Sequence, residues 1–203
     1  MKKYTIIISS FALLIVTAVI ACNSKKTPSA NNEGMVAVIT QDSLIKHGEY
    51  LVSIMGCHDC HSPKKMTPTG PAIDTAYMLA GHPANLAIPP IDPDGSKGWI
   101  MMSPTATAMV GPWGISYSAN ITSDASGIGN WTEAQFFKAI REGKYKGMDN
   151  TRPLLPPMPW DMIGKATDHD LRSIFAYLKS TPPVDNVVPA AVSPGQFASL
   201  ITK

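Results

Sequence analysis

Two cysteines and a histidine stand close together in the segment CHDCH, residues 57–61. The chain has three cysteines in all, and the third, Cys22, lies far from this pair. Two cysteines separated by two residues can form a disulfide, bind a metal ion or attach a haem covalently. Within one helical turn the two thiols share an edge, where they can add to the vinyl groups of a haem. The histidine that follows is then carried under the iron.

The other two chemistries fit the surrounding sequence less well. A thioredoxin-like redox pair would need a preceding strand, whereas the residues before Cys57 indicate a helix. A structural zinc site would need more ligands at conventional spacing, and no second cysteine pair exists. The motif therefore favours haem attachment through Cys57 and Cys60, with His61 as an iron ligand. A zinc site or a disulfide stays open as a minor alternative.

Three helices are predicted around this motif. The first begins near Asp42 or Ser43, both good cap residues, and ends at Gly56, directly before the cysteines. Its apolar face comprises Leu44, Gly48, Leu51, Val52 and Met55. Gly48 on this face is expected to let Ile174 or Tyr177 of the last helix approach closely.

The other two helices carry strong capping signals. Thr132, with Gln three residues later, caps a helix that runs to about Glu142, where Gly143 stops it. Thr167 caps the last helix, whose first turn contains two aspartates and whose end is marked by a Thr-Pro-Pro sequence at 181–183. Residues 62–130 are rich in Pro and Gly without a sustained period, and no strand signal rivals the helices. The predicted fold class is therefore all-α.

The amino terminus indicates export. Residues 1–21 combine a short positive start with an apolar run that is too short for a comfortable membrane span, which is typical of a signal peptide. The sequence VIAC before and including Cys22 resembles a bacterial lipobox, so we expect cleavage before Cys22 and its acylation. Residues 22–40 are predicted to be a flexible tether, 41–185 the folded domain, and 186–203 a carboxyl-terminal tail.

The charge balance argues against nucleic acid as a partner. Without Lys2 and Lys3 the chain carries 15 basic and 15 acidic residues. Nucleic-acid binding needs a strongly basic face. One cluster of basic residues does occur. Such a cluster is most often a solvent-exposed surface, and the alternative is a docking site for an acidic partner. The cluster consists of Lys138, Arg141, Lys144, Lys146 and Arg152.

The pattern as a whole resembles the cytochrome c family. It comprises a first helix with Gly48 and Tyr50, the CHDCH motif, a Thr-Gly-Pro sequence at 69–71, a Met-containing loop and a final helix. The resemblance implies the cytochrome c fold, with helices packed around one covalently bound haem c. The segments GPWGISYSANITSD (111–124), NWTEAQFFKAIREGK and RPLLPPMPW resemble periplasmic cytochromes associated with bacterial dehydrogenases. The stretch 72–112 is a long irregular insertion without a counterpart.

The sixth iron ligand has to be chosen among eleven methionines. Met158 lies between prolines, which stiffen the backbone and lower the entropy lost when a weak thioether ligand binds. The family places its axial methionine in a loop before the last helix, which the resemblance transfers to Met158. Met148, Met162 and His82 remain the alternatives, in which case Met158 only packs.

The resemblance also implies further contacts to the cofactor. The Pro71 carbonyl would accept a hydrogen bond from the second ring nitrogen of His61. Independently of the resemblance, Trp113 is a candidate to donate its indole N–H to a haem propionate; Trp99, Trp131 and Trp160 compete for that role, and packing in the core is the alternative. The remaining histidines, His47, His58, His82 and His169, are expected to be solvated or core residues.

The expected function is electron transfer rather than catalysis. Partners would be a dehydrogenase or quinol oxidase on one side and a terminal acceptor on the other, with the chain either a tethered shuttle or a fixed subunit. A haem enzyme or gas-binding protein is the alternative, and a coordinated Met158 argues against it. The lipid anchor would hold the domain on the periplasmic side of a membrane, with the outer membrane preferred because Asn23 replaces the Asp of inner-membrane retention.

Overall fold

A computed structural model describes residues 40–92 and 98–201, without the side chains of 198–201. The helices are α1 (Gln41–Ile54), α2 (Cys57–His61), α3 (Glu133–Glu142), α4 (Trp160–Ile163), α5 (Asp168–Ser180) and α6 (Pro194–Ile201). The strands are β1 (Lys64–Thr67), β2 (Gly70–Ile73), β3 (Met101–Met102), β4 (Ala108–Gly111) and β5 (Gly114–Tyr117). Short 3₁₀ turns cover Thr75–Tyr77 and Tyr145–Gly147.

Helices α1 and α5 pack closely against each other and frame the core. The predicted close approach at Gly48 is confirmed, because a Cβ built there would lie 1.9 Å from the Ser173 carbonyl oxygen and 2.7 Å from the Cβ of Tyr177. The neighbour is therefore Ser173 together with Tyr177, and not Ile174. The buried core cluster comprises Leu51, Val52, Leu79, Ile128, Phe136, Ile140, Leu171, Ile174 and Leu178.

The helix boundaries follow local capping chemistry. Complete capping boxes link Thr132 with Gln135, as the sequence predicts, and Thr167 with Asp170, where the sequence predicts the Thr167 cap but not the reciprocal hydrogen bond. Gly143 ends α3 in the left-handed conformation with φ of 63°. Helix α1 differs slightly from its prediction, because the Thr40 side chain accepts the hydrogen bond from the Ser43 amide and so caps the helix earlier.

The all-α prediction is wrong, because the described chain also contains two antiparallel sheets. Strands β1 and β2 form a hairpin, and β3, β4 and β5 form a three-stranded sheet in that order. The β1–β2 and β4–β5 hairpins each close through two residues, at 68–69 and 112–113. Strands of two to four residues are too short to show an alternating pattern, and prolines next to glycines resemble an irregular loop. The fold is mixed α and β.

The segment after Asp185 is held more firmly than a weakly structured tail. Asn186 is 4% exposed, and its side-chain amide donates to the carbonyls of Ala80 and His82. The backbones of Ile115 and Val192 exchange two hydrogen bonds of 2.9 Å, which adds Val192 to the edge of β5. Helix α6 follows directly.

The signal peptide, Cys22 and the tether to residue 39 lie outside the described residues. Among the residues that are described, no helix is both long and apolar enough to cross a membrane.

Candidate haem site

The CHDCH segment forms one short helix, α2, directly after α1. Gly56 adopts the left-handed conformation with φ of 69° and turns the chain from one helix into the next. Cys57 and Cys60 are both free thiols and half-buried. The prediction that both thiols belong to one helical turn is therefore confirmed.

The two thiols are poorly suited to redox or zinc chemistry. Burial raises the pKa of the Cys57 thiol to about 11, and burial together with the Asp59 carboxylate raises that of Cys60. A redox pair relies on a reactive thiolate, which a lowered pKa would favour. In the described part of the chain, no three His, Cys, Asp or Glu side chains converge as a metal site. The donor set therefore fits covalent haem attachment better than either alternative.

The tautomer of His61 is fixed by a hydrogen bond. Its Nδ1 lies 2.7 Å from the carbonyl oxygen of Ala119, an acceptor, so Nδ1 carries the proton and donates. The second nitrogen, Nε2, then holds the lone pair that an iron ligand needs. Burial lowers the pKa of His61, although the Ala119 hydrogen bond opposes that shift, so the neutral ring is favoured.

The prediction that Pro71 accepts this hydrogen bond is wrong. Pro71 lies opposite Met66 in the β1–β2 hairpin and is exposed, whereas the Nδ1 proton of His61 is donated to another carbonyl. The acceptor is Ala119, 58 residues from His61 in sequence. Sequence reasoning missed Ala119 because nothing in an alanine signals a backbone acceptor; only the resemblance of residues 111–124 pointed to the segment.

The insertion 72–112 contacts both His61 and the segment that carries Ala119. The Gly81 amide donates to the His61 carbonyl at 2.8 Å, which attaches the insertion to the end of α2. The His82 amide donates to Ser118, and the Ile121 amide donates to Leu79, each at 2.9 Å. Residues 79–82 therefore lie between the CHDCH helix and the segment that carries Ala119.

Met158 lies half-buried in the loop before α4 and packs against the core cluster that Cys57 also contacts. The loop is tied to the rest of the domain at two points on the amino-terminal side of Met158. The Leu154 amide donates to the Gly143 carbonyl at 2.7 Å, and the Ser116 hydroxyl donates to the Pro156 carbonyl at 2.7 Å. These contacts fit the expected stiff loop, while coordination by Met158 stays a prediction.

Comparison with known proteins finds similarity to cytochrome subunits of bacterial dehydrogenases. No family model matches the chain. It is 40% identical over 157 residues to the fructose dehydrogenase cytochrome subunit of Gluconobacter japonicus, covering 76% of this chain and 25% of that protein. It is 31% identical over 137 residues to the gluconate 2-dehydrogenase cytochrome c subunit of Pantoea cypripedii, covering 67% of this chain and 23% of that protein.

The chain is a c-type cytochrome. It is also 29% identical over 137 residues to the cytochrome c subunit of the quinone alcohol dehydrogenase of Gluconobacter oxydans, covering 67% of this chain and 21% of that protein. The chain thus spans about a quarter of the length of these relatives. The recognition made from the CHDCH motif and its surroundings is confirmed, and the cytochrome relatives imply haem c as the cofactor.

The alternative sixth ligands of this cytochrome are placed less favourably than Met158. Met148 and Met162 are 44% and 67% exposed. His82 is 1% exposed, and both its ring nitrogens are engaged, Nδ1 with the Thr107 hydroxyl and Nε2 with the Leu86 carbonyl, each at 2.9 Å. A histidine with both nitrogens hydrogen-bonded in the core is a structural residue, as predicted for His82.

Trp113 has a protein partner for its indole N–H. It sits in the β4–β5 turn, and Nε1 donates to the Ser116 hydroxyl at 3.1 Å. That hydroxyl in turn donates to the loop that carries Met158. The propionate contact stays a prediction, and the contact in this structure links Trp113 to the Met158 loop instead.

Two of the five predicted basic residues hold the fold together. Lys138 forms an ion pair with Asp149. The Arg141 guanidinium donates to the carbonyls of Gly164 and Ala166 and to the Asp168 carboxylate, at 2.6, 3.0 and 2.5 Å. Those contacts connect α3 with the start of α5, which lowers the number of charges left for docking.

Lys64 supports the CHDCH helix, a role that the sequence did not reveal. Its ammonium group donates to the carbonyls of His58, Asp59 and Ser62 at 2.9, 2.9 and 2.7 Å. These are carbonyls in and just beyond α2, so the side chain caps the helix that carries the cysteines and places a positive charge at its negative end. Burial lowers the pKa of Lys64.

Proposed function

We propose that this cytochrome is an electron carrier that binds one haem c through thioether bonds at Cys57 and Cys60. The observation that carries the proposal is a single helical turn with two free, half-buried thiols, followed by a histidine whose tautomer leaves Nε2 as the lone-pair nitrogen. When bound there, the haem supplies a one-electron iron couple. The sequence contains one CxxCH motif, which supports a single haem.

The protein's contribution would be to supply two ligands to the haem iron. We propose His61 and Met158 as the iron ligands, presented by the rigid α2 turn and by a loop that is hydrogen-bonded to α3 and β5. Two protein ligands leave no position for a substrate or gas, which favours a carrier over an enzyme. A His/Met pair also raises the reduction potential relative to two histidines.

A dehydrogenase is the electron donor that the relatives favour. Those relatives are named as cytochrome subunits of fructose, gluconate and alcohol dehydrogenases. We propose that this cytochrome accepts electrons from a periplasmic dehydrogenase, or from a quinol oxidase, and delivers them to a terminal acceptor. Both a free shuttle and a fixed subunit agree with this chemistry, and copurification with a dehydrogenase separates them.

Membrane attachment is part of the proposal. Cleavage before Cys22 and acylation of its thiol would hold the domain on the periplasmic side of a membrane, with the outer membrane as the expected location. The stretch 23–40 would then act as the tether that lets the domain reach its partners.

The attachment site is tested by haem staining of denaturing gels. The wild-type chain, expressed with a cytochrome c maturation system, should keep its haem in denaturant because thioether bonds do not dissociate. The double variant Cys57→Ser and Cys60→Ser should show no stained band. The control His82→Gln, outside the motif, should remain stained. A stained double variant would refute the attachment site.

The choice between carrier and open-iron protein is tested by spectroscopy of the oxidised protein. A Met–iron(III) bond gives a weak near-infrared charge-transfer band, which the wild type should show and Met158→Ala should lose. The matched controls Met148→Ala and Met162→Ala should keep the band, since both side chains are exposed. A wild type without the band that binds carbon monoxide readily would favour the gas-binding alternative.

A further inference from the structure

The carbonyl that orients His61 belongs to a residue with little support of its own. Ala119 is exposed, and its side chain is a methyl group that can anchor nothing. Yet its carbonyl oxygen lies 2.7 Å from Nδ1 of His61. Its position must therefore be set by the residues on either side and by what they contact.

The first support is the close approach of the insertion at Gly81. Gly81 has φ of 74°, and a Cβ there would lie 2.3 Å from the Ser118 carbonyl oxygen and 2.5 Å from the Ala119 carbonyl. Only glycine fits both the backbone conformation and the space. The hydrogen bonds from the His82 amide to the Ser118 carbonyl and from the Ile121 amide to the Leu79 carbonyl hold the segment on both sides of Ala119.

The second support is Asn120, the residue bonded directly to the Ala119 carbonyl carbon. Asn120 is 5% exposed. Its amide nitrogen donates to the Val184 carbonyl at 2.8 Å and to the Ser126 hydroxyl at 3.1 Å. Its amide oxygen accepts from the backbone and hydroxyl of Thr122, at 3.0 and 2.8 Å. Every polar atom of this buried side chain is thus engaged, and the peptide plane that includes the Ala119 carbonyl is anchored at one end.

We propose that Asn120 is a positioning residue for the axial histidine: it holds the Ala119 carbonyl against Nδ1 of His61 and thereby tunes the reduction potential. The inference rests on the proposed haem ligation by His61. It assigns a role to a buried polar side chain that has no contact with His61 itself. Gly81 contributes to the same positioning, because the absence of a side chain leaves the space that the Ala119 carbonyl occupies.

The direction of the effect follows from ligand basicity. A hydrogen bond donated from Nδ1–H to a carbonyl makes the imidazole a stronger electron donor through Nε2. A stronger donor favours the oxidised iron and lowers the reduction potential. Loosening Ala119 should therefore raise the reduction potential, and it should expose the Nδ1 proton to exchange with solvent.

The test uses the haem-loaded protein and the variant Asn120→Ala. Two quantities are measured: the reduction potential, and the exchange rate of the His61 Nδ1 proton by NMR of the reduced, diamagnetic state. We expect a higher potential and exchange about tenfold faster, since a lost hydrogen bond changes an opening equilibrium by about that factor. Ser126→Ala removes one of the acceptors of Asn120, together with the hydroxyl's bonds to the Asn186 amide and the Asp124 carboxylate, and should give a smaller change in the same direction. It also keeps the test decisive if Asn120→Ala does not fold.

Thr167→Ala is the stability control. It removes a helix cap that has no hydrogen bond to residues 118–122, so it should lower Tm and leave the potential and the exchange rate unchanged. If Asn120→Ala and Ser126→Ala lower Tm without moving either quantity, Asn120 is merely structural and the inference is refuted. A wild type without covalent haem would instead refute the proposed function, which separates the two failures.

Discussion

Replacing Gly48 by alanine sets two effects of known size against each other. Alanine in a helix interior is more favourable than glycine by about 1 kcal/mol. Against this, the added Cβ would lie 1.9 Å from the Ser173 carbonyl oxygen and 2.5 Å from its carbonyl carbon. Both are backbone atoms of α5, so no rotamer change relieves the contact, and α1 and α5 must separate by about 1 Å.

The steric cost of the added Cβ should exceed the gain in helix propensity. Overpacking in a dense core costs about 1 to 3 kcal/mol, and the upper end applies here because the whole helix pair moves. Subtracting the helix propensity gain leaves a loss of about 2 kcal/mol. For a domain of this size that corresponds to a Tm lower by about 4 to 8 °C.

The assay is thermal and denaturant unfolding of the haem-loaded protein. Glu49→Ala is the matched control, because its side chain is exposed on the same helix and adds no atom to the α1–α5 contact. It should change the unfolding free energy by less than about 0.5 kcal/mol. A Gly48→Ala variant as stable as the wild type, or more stable, would show that the helices are not in the close contact described and would refute the reasoning.

Three further predictions concern the cap of α5, the cap of α2 and the amino terminus. The hydrogen bonds from His47 and Thr167 lower the pKa of Asp170, so its contribution to stability is present above about pH 4 and is lost as the pH falls through the lowered pKa. Asp170→Asn should therefore lower the unfolding free energy by about 1 kcal/mol at pH 7, and unfolding curves should show this difference shrinking as the pH falls through the lowered pKa of Asp170; a difference that grows with acid would contradict the sign. Lys64→Met should lower the unfolding free energy by about 1 to 2 kcal/mol while haem staining persists, because three carbonyls lose their donor. Mass spectrometry of the mature chain should find acylated Cys22 with nothing upstream, and a start at another residue would refute the anchor.

Those elements that depend on neighbours in sequence could be predicted from the chain alone. The capping boxes at Thr132 and Thr167 join residues that are only three positions apart in sequence. A short stretch of sequence therefore contains both partners of each interaction. The same holds for the CHDCH turn and for Gly56 before it, since two thiols separated by two residues share an edge in any helical turn. These local rules were enough to recognise the cytochrome and to propose Cys57 and Cys60 as its attachment residues.

Partners distant in sequence were decided only by the tertiary structure. The two sheets escaped prediction because strands of two to four residues gain their identity from pairing rather than from pattern. The acceptor for His61 was assigned to Pro71 by resemblance, yet the chain path brings Ala119 there, supported by Gly81. Asn186 likewise anchors to a segment more than a hundred residues earlier. A backbone carbonyl has the same chemistry at every residue, so sequence cannot say which one reaches the histidine. The packing of the insertion against α2 makes that choice, and with it sets the orientation of the proposed iron ligand.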